Sequence, residues 1–354
     1  MDRIERLKDF LDNHEAILIF SDINIRYLTS LQLNDSALLI TKEMNYIFVD
    51  GRYYEATLRE KNEALEVVLV KNIYSSIEDI IKKALVTSVY IEYDRITLKT
   101  FSNLKKIENV RFNASALLSE KIAKLRMIKT EDEIEKIKTA QKITDKAFNE
   151  VLNYVKEGVS ERELALQTEY LLKSYGAENV SFNLITITGK NTSLPHGIPT
   201  DTLVKNGDFI TFDIGCIYDG YCSDMTRTIA LKNVSDRQKQ IYNYVLGAHI
   251  YASNLIKPGA NVKDIDQGVR NYFSKFYVEE YFTHSTGHGV GLEIHEGPTV
   301  SYKADCVLKS NMVITNEPGL YLPDEFGVRI EDMYLLTETS CESLASVEKD
   351  LIIV

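Results

Sequence analysis

Asp213, Asp224, Glu317, Glu331 and a cluster of histidines are the residues of this chain whose types and spacing could do chemistry together. The two aspartates fall in ITFDIGCIYDGYCSDMTRT, and a histidine–glycine loop beginning at His284 leads on to the two glutamates. Four carboxylates with one imidazole suffice to hold a pair of divalent ions, and such a pair implies two-metal hydrolysis.

Each part of that set constrains its own geometry. TFDIGCIYDGYCSDMTRTIA reads as two β-rich runs flanking Asp219-Gly220, a type I′ turn signal. With that loop, paired residue numbers sum to 439, so Asp213 opposes Thr226 and Asp224 opposes Gly215. The aspartates then share a face as diagonal neighbours ~7–8 Å apart. They repel unless a cation lies between them, or unless one of the two faces solvent. NMVITNEPGLYLPDEFGVRIEDMYLLT supplies a strand ending at Glu317, then a Pro-Gly turn region. A further strand follows, in which Gly327, Arg329, Glu331 and Met333 alternate with Val328, Ile330 and Asp332. Glu331 in that apolar setting is costly unless metal-bound or paired, and a plain Arg329–Glu331 ion pair would also answer.

The histidines favour the metal. Of the six, His196, His284, His288 and His295 lie in two short glycine-flanked segments. A lone histidine is ordinarily a satisfied core residue, but three within THSTGHGVGLEIHEGP, followed by strand glutamates, are hard to assign to packing. Imidazole is the commonest nitrogen ligand and a neutral-pH proton carrier. Other motifs fail. His295-Glu296 lacks the second histidine of a zinc-protease helix, Gly287, Gly289 and Gly291 do not spell G-x-G-x-x-G, and no Walker loop or serine elbow is present.

The elements that must position these groups fall into two domains. Up to about residue 110 the runs AILIF, SALLIT, NYIFVD, EVVLV and SVYIEY read as strands, with helices near 53–62, 75–86 and 97–106. This is an α/β layer domain. MDRIERLKDFLDNHEA reads as an amphipathic helix with Ile4, Leu7, Phe10 and Leu11 on one face. It lacks the apolar centre of a secretory signal, so a cytoplasmic location is expected. LRMIKTEDEIEKIKTAQKITDKAF opens a second, α+β domain, with Thr130 and Glu133 as a capping box and Ile134, Ile137, Ile143 and Ala147 at helical spacing. The domains are expected at 1–124 and 125–354. With 354 residues, 44% apolar and 26% charged, composition is that of an ordinary globular protein. A net charge of −11 argues against a nucleic-acid partner. No apolar run approaches a membrane span. Cys216, Cys222, Cys306 and Cys341 form no C-x-x-C pair, and free thiols are expected.

Taken together, these motifs resemble the pita-bread metallopeptidases, specifically the Xaa-Pro branch that contains aminopeptidase P and prolidase. IRYLTSLQLNDSALLI with FVDGRY is similar to the branch's creatinase-like N-terminal domain, LRMIKTEDEIEKIK to its junction helix, and the chain from Ser181 onward to its catalytic domain. The resemblance implies a pita-bread catalytic domain behind a smaller α/β domain, and a homodimer. It implies that Asp213, Asp224, His288, Glu317 and Glu331 hold two divalent ions, with Asp224 and Glu331 bridging. His196, His284, His295 and Tyr321 fall on substrate-side positions, and Arg329 on one that orients a bridging carboxylate. Oxygen-rich ligation with one imidazole favours Mn²⁺ or Co²⁺, with Zn²⁺ and Fe²⁺ as further candidates. The activity implied is hydrolysis, by a metal-bridging hydroxide, of the bond between an N-terminal residue and a following proline in a dipeptide or oligopeptide. Glu317 would take a proton from the attacking water and His295 would stabilise the oxyanion, with His196 shuttling protons or touching substrate. Two alternatives are a non-catalytic interaction protein on the same scaffold and a methionine-aminopeptidase-like enzyme. The complete ligand set argues against the first and the N-terminal domain against the second.

Overall fold

The computed structural model describes residues 3–61 and 63–354; positions 1, 2 and 62, which the sequence reading places at helix ends, lie outside the described residues. Two compact units divide the chain, Met1–Arg126 and Met127–Val354. In the first, six strands form one mixed sheet in the order Leu65–Leu69, Asn45–Val49, Ala37–Thr41, Glu15–Ile19, Ser88–Glu92, Arg111–Ser115. All five residues of Ala37–Thr41 are buried, as expected of a strand covered on both faces. Helix Ile73–Lys83 starts at Asn72, whose side-chain oxygen accepts from the amides of Tyr74 and Ser75, and it buries Ile77 and Ile81 one turn apart.

The N-terminal expectation needs correction here. The helix runs only over Arg3–Lys8, and Glu15 already belongs to a strand. Between them the Leu11 amide bonds the Lys8 carbonyl and the Asp12 amide bonds the Glu15 carboxylate, a turn that Asp12 and Asn13 favour over helix. Helix Asp22–Thr29 and strand Arg111–Ser115 have no counterpart in the sequence reading.

Met127–Val354 opens on helix Glu131–Val151, and the capping box is present. The Thr130 hydroxyl accepts from the Glu133 amide at 3.3 Å, and the Glu133 carboxylate from the Thr130 amide at 2.8 Å. Two antiparallel ribbons carry the rest of the argument. One pairs Phe209–Ile214 with Met225–Ala230 and then, beyond a break, Cys216–Tyr218 with Tyr221–Cys222. The 439 register holds throughout, and Asp219 and Gly220 turn the chain at φ 43° and 79°. The other pairs Val313–Asn316 with Asp332–Leu336 and, beyond its own break, Gly319–Leu322 with Phe326–Arg329. Its pairs all sum to 648.

Each ribbon changes sheet at its break. By register the first break sets Gly215 opposite Asp224, and the second sets Glu317 opposite Glu331. The single strand expected across 327–333 therefore does not exist. It stops at Arg329 and a new one begins at Asp332. At the gap the Glu331 amide bonds the Thr226 carbonyl of the other ribbon at 3.1 Å, so the backbone leaves its own ladder to join the neighbour. Among the described residues no helix is long and apolar enough to cross a membrane.

Candidate metal centre and active-site cavity

A cavity of about 760 Å³ is lined by carboxylates from both ribbon breaks. Nine of the residues singled out in the sequence face it: Asp213, Asp224, His288, Glu317, Glu331, His196, His284, His295 and Arg329. Tyr321 does not line it. That residue is 5% exposed and stands behind the wall, its hydroxyl between His284 and Arg329. The structure therefore gives Tyr321 no direct reach to a substrate.

Arg329 organises the carboxylate side. Its guanidinium donates to Asp213 Oδ2 at 2.5 Å, to the Thr226 hydroxyl at 3.0 Å, to Tyr321 Oη at 2.7 Å and to the Pro195 carbonyl at 3.1 Å. The simple Arg329–Glu331 pair is thus not what forms. Glu331 instead accepts from Thr226 Oγ1 at 2.6 Å. The same network assigns a tautomer to His284. The Ser285 carbonyl can only accept, so Nδ1 of the neutral ring carries the proton and donates to it at 2.8 Å. Nε2 is then left to accept from Tyr321 Oη at 2.8 Å.

His288 is arranged as a ligand. Its Nδ1 lies 3.1 Å from the Gly289 carbonyl and so carries the proton, which leaves the Nε2 lone pair directed between Asp224 Oδ2 at 3.5 Å and Glu317 Oε1 at 3.4 Å. Burial holds the His288 and His284 pKa values below the usual imidazole range, so both rings are neutral at neutral pH. The His295 pKa is likewise lowered, by burial and by the neighbouring His288 ring, whose centroid is 4.3 Å away.

Do these groups fit divalent ions? Burial first, and then Glu331, Asp213 and Glu317, push the Asp224 carboxyl well above its ordinary pKa. Burial, Glu317 and Asp213 do the same to Glu331. Glu317 is also raised, by burial, against the opposing pull of His284 and Arg329. Asp213 Oδ1 is buried without a hydrogen-bond partner. Ligand atoms of Asp224, His288 and Glu331 lie within 4.8 Å of one another. Mutually repelling carboxylates, an orphaned oxygen and a free imidazole lone pair are what a cation of charge two or more resolves. The donor set fits.

Some contributors escape the sequence reading. Thr226 appears there only as the register partner of Asp213, although its hydroxyl links Arg329 to Glu331. Glu296, on the cavity wall, pairs with buried Lys129 at 2.8 Å. Both residues are in the quoted motifs, but their meeting depends on tertiary contact across 167 positions.

The site and the fold together define a metallopeptidase. Residues 135–338 match Metallopeptidase family M24, residues 3–128 match the Creatinase/Prolidase N-terminal domain, and the chain belongs to that metallopeptidase family. Among its relatives, the Xaa-Pro dipeptidase of Pyrococcus horikoshii is 37% identical, the match covering 99% of each chain. A solved Xaa-Pro dipeptidase from Bacillus anthracis superposes with a TM-score of 0.95 at 36% identity, over 99% of each chain. An X-Pro aminopeptidase structure from Thermotoga maritima gives 0.92 at 32% identity, over the whole of both chains.

Proposed function

We propose that this protein hydrolyses the peptide bond between an N-terminal residue and a following proline, in a dipeptide or a longer peptide. The observation that carries the reading is that Asp213, Asp224, His288, Glu317 and Glu331 line one cavity together with His196, His284 and His295. We assign the chemistry to residues 125–354 and a supporting role to residues 1–124. Full-length relatives with Xaa-Pro specificity support the substrate class.

Asp213, Asp224, His288, Glu317 and Glu331 would hold two divalent ions, and the oxygen-rich set favours Mn²⁺ or Co²⁺. Such ions acidify a water and polarise a carbonyl. Glu317, which lines the cavity beside the other carboxylates, would take a proton from the attacking water. His295, neutral and exposed to the cavity, offers an N–H to the oxyanion of the tetrahedral carbon, a contact that can contribute ~3–4 kcal/mol. His196, exposed at the cavity edge, is suited to exchange protons with solvent. Arg329 holds Asp213 in its ligating position. Family membership supports a homodimer, and four free thiols support a reducing, cytoplasmic location.

The test is hydrolysis of Ala-Pro beside Ala-Pro-Ala by protein stripped of metal and reloaded with Mn²⁺. Cleavage of either supports the reading, and the preferred one separates dipeptidase from aminopeptidase. No cleavage of either would overturn it. Glu317→Ala and His288→Ala are each expected to abolish metal-dependent turnover without unfolding the chain. Full activity in either would remove that residue from the ligand set.

A further inference from the structure

One helix outside the cavity reaches the loop carrying His284 through two side chains not yet given a role. Residues 282–286 belong to no helix or strand, so their backbone groups must find partners elsewhere. The Phe282 amide bonds the Glu279 carbonyl and the Thr286 amide reaches the Val300 carbonyl at 3.0 Å, and helix Val262–Ser274 supplies further partners. Asp266, fully buried, accepts from the Thr286 amide at 2.9 Å, the Thr286 hydroxyl at 2.7 Å, the Tyr302 amide at 2.9 Å and Arg270 Nε at 3.0 Å. Arg270, one turn further, donates from Nη2 to the His284 carbonyl at 2.7 Å. Its guanidinium carbon lies 4.7 Å from the Phe282 ring centre and 4.9 Å from that of Tyr302. The Thr286 carbonyl in turn accepts from the Glu317 amide at 2.8 Å.

We propose that Asp266 and Arg270 are positioning residues for His284. Neither lines the cavity. Between them they fix the backbone at His284 itself and two residues later, the short span from which the imidazole projects. A carboxylate satisfied by four donors and a guanidinium held between two rings make a stiff anchor. With the backbone fixed, the His284 ring keeps both nitrogens engaged, one on Tyr321 and one on Ser285. Released, the ring would turn and lose its place in the wall. The inference rests on the peptidase reading of this cavity, because only there does the position of His284 affect turnover.

Arg270→Met keeps a stem able to lie between the two rings and leaves Asp266 three donors. In the metal-loaded full chain it is expected to lower kcat/KM on Ala-Pro-Ala or Ala-Pro by about ten- to hundred-fold, the scale on which small displacements act. Metal content should not change. In a His284→Ala background the same substitution should add less than twofold. Equal losses in both backgrounds, or wild-type kcat/KM in Arg270→Met, would overturn the proposal. Asp266→Asn provides a second variant should the first not fold. A readout independent of activity is the long-range ¹H–¹⁵N histidine spectrum of metal-free protein. Wild type should show His284 protonated at Nδ1, and the variants a mixture of tautomers. If wild type cleaves no Xaa-Pro substrate, the peptidase reading fails, and an unchanged His284 signal in both variants would separately defeat the positioning claim.

Discussion

At the scale of single residues, Thr226 links the charged partners of the site. Its hydroxyl accepts from Arg329 Nε and donates to Glu331 Oε2, so one small side chain orients both the Glu331 carboxylate and the guanidinium that holds Asp213. Thr226→Val preserves shape but leaves a buried guanidinium N–H and a carboxylate oxygen without that partner. Loss of such an outer contact typically weakens metal binding by about 10–100-fold. A metal titration followed by calorimetry reads this directly, and an unchanged affinity would mean that Arg329 alone orients the site. The register of the hairpin made Thr226 legible as the neighbour of Asp213. Its role was not, because threonine is an ordinary strand residue. The choice of Arg329 for Asp213 over Glu331 is equally invisible in sequence, since it arises only where two distant ribbons meet.

Elements place these residues by interruption as much as by regularity. The 439 register could be derived because Asp219-Gly220 turns only one way and so fixes every pair on the ribbon. The second ribbon lacks so strict a turn signal, and its apolar alternation continues through Ile330 while the pairing partner changes, so the break at Glu331 could not be read. Strand Arg111–Ser115 is hidden for a related reason: RFNAS is mixed in polarity, without the apolar run that marks the other edge strand, Leu65–Leu69. At the first break, a Cβ on Gly215 would lie 2.0 Å from the Ser223 carbonyl oxygen, a backbone atom that no rotamer change can move aside. Gly215→Ala must therefore spread the ribbon beside Asp213 and Asp224. Loss of bound metal and at least a tenfold fall in activity are expected, as for comparable misplacement of reacting groups. Gly51→Ala, where no atom lies within 4 Å, is the control and should change neither. Metal analysis of both proteins decides the matter, and full occupancy in Gly215→Ala would show that the break tolerates a side chain.

On the scale of the whole molecule, the two units answer to different linkages. In Met127–Val354 the metal-free site crowds Asp224, Glu317 and Glu331, whose pKa values burial and mutual repulsion raise. A carboxyl whose folded pKa is raised contributes stability below its unfolded pKa and loses it as pH rises through the folded value. Without metal this unit should therefore weaken from pH 5 towards pH 8. Bound cations reverse the sign, because they bind the ionised form, and each adds about 2.7 kcal/mol when present at a hundred times its dissociation constant. Met1–Arg126 holds a different group. Glu92, buried and hydrogen-bonded by Asn24, is pushed up to a pKa of about 7 by burial. By the same rule it withdraws roughly 3 kcal/mol from its unit between about pH 4.5 and pH 8, whether or not metal is present. Hydrogen exchange at pH 5.5 and pH 8, with and without Mn²⁺, tests both linkages at once. Protection of the ribbons over 209–230 and 313–336 should rise on adding metal, and rise more at pH 8. Protection of the strands over 37–49 should fall with pH regardless of metal, and Glu92→Gln should abolish that fall. A metal-dependent gain of equal size in the six-stranded sheet would show that the units share one stability rather than two.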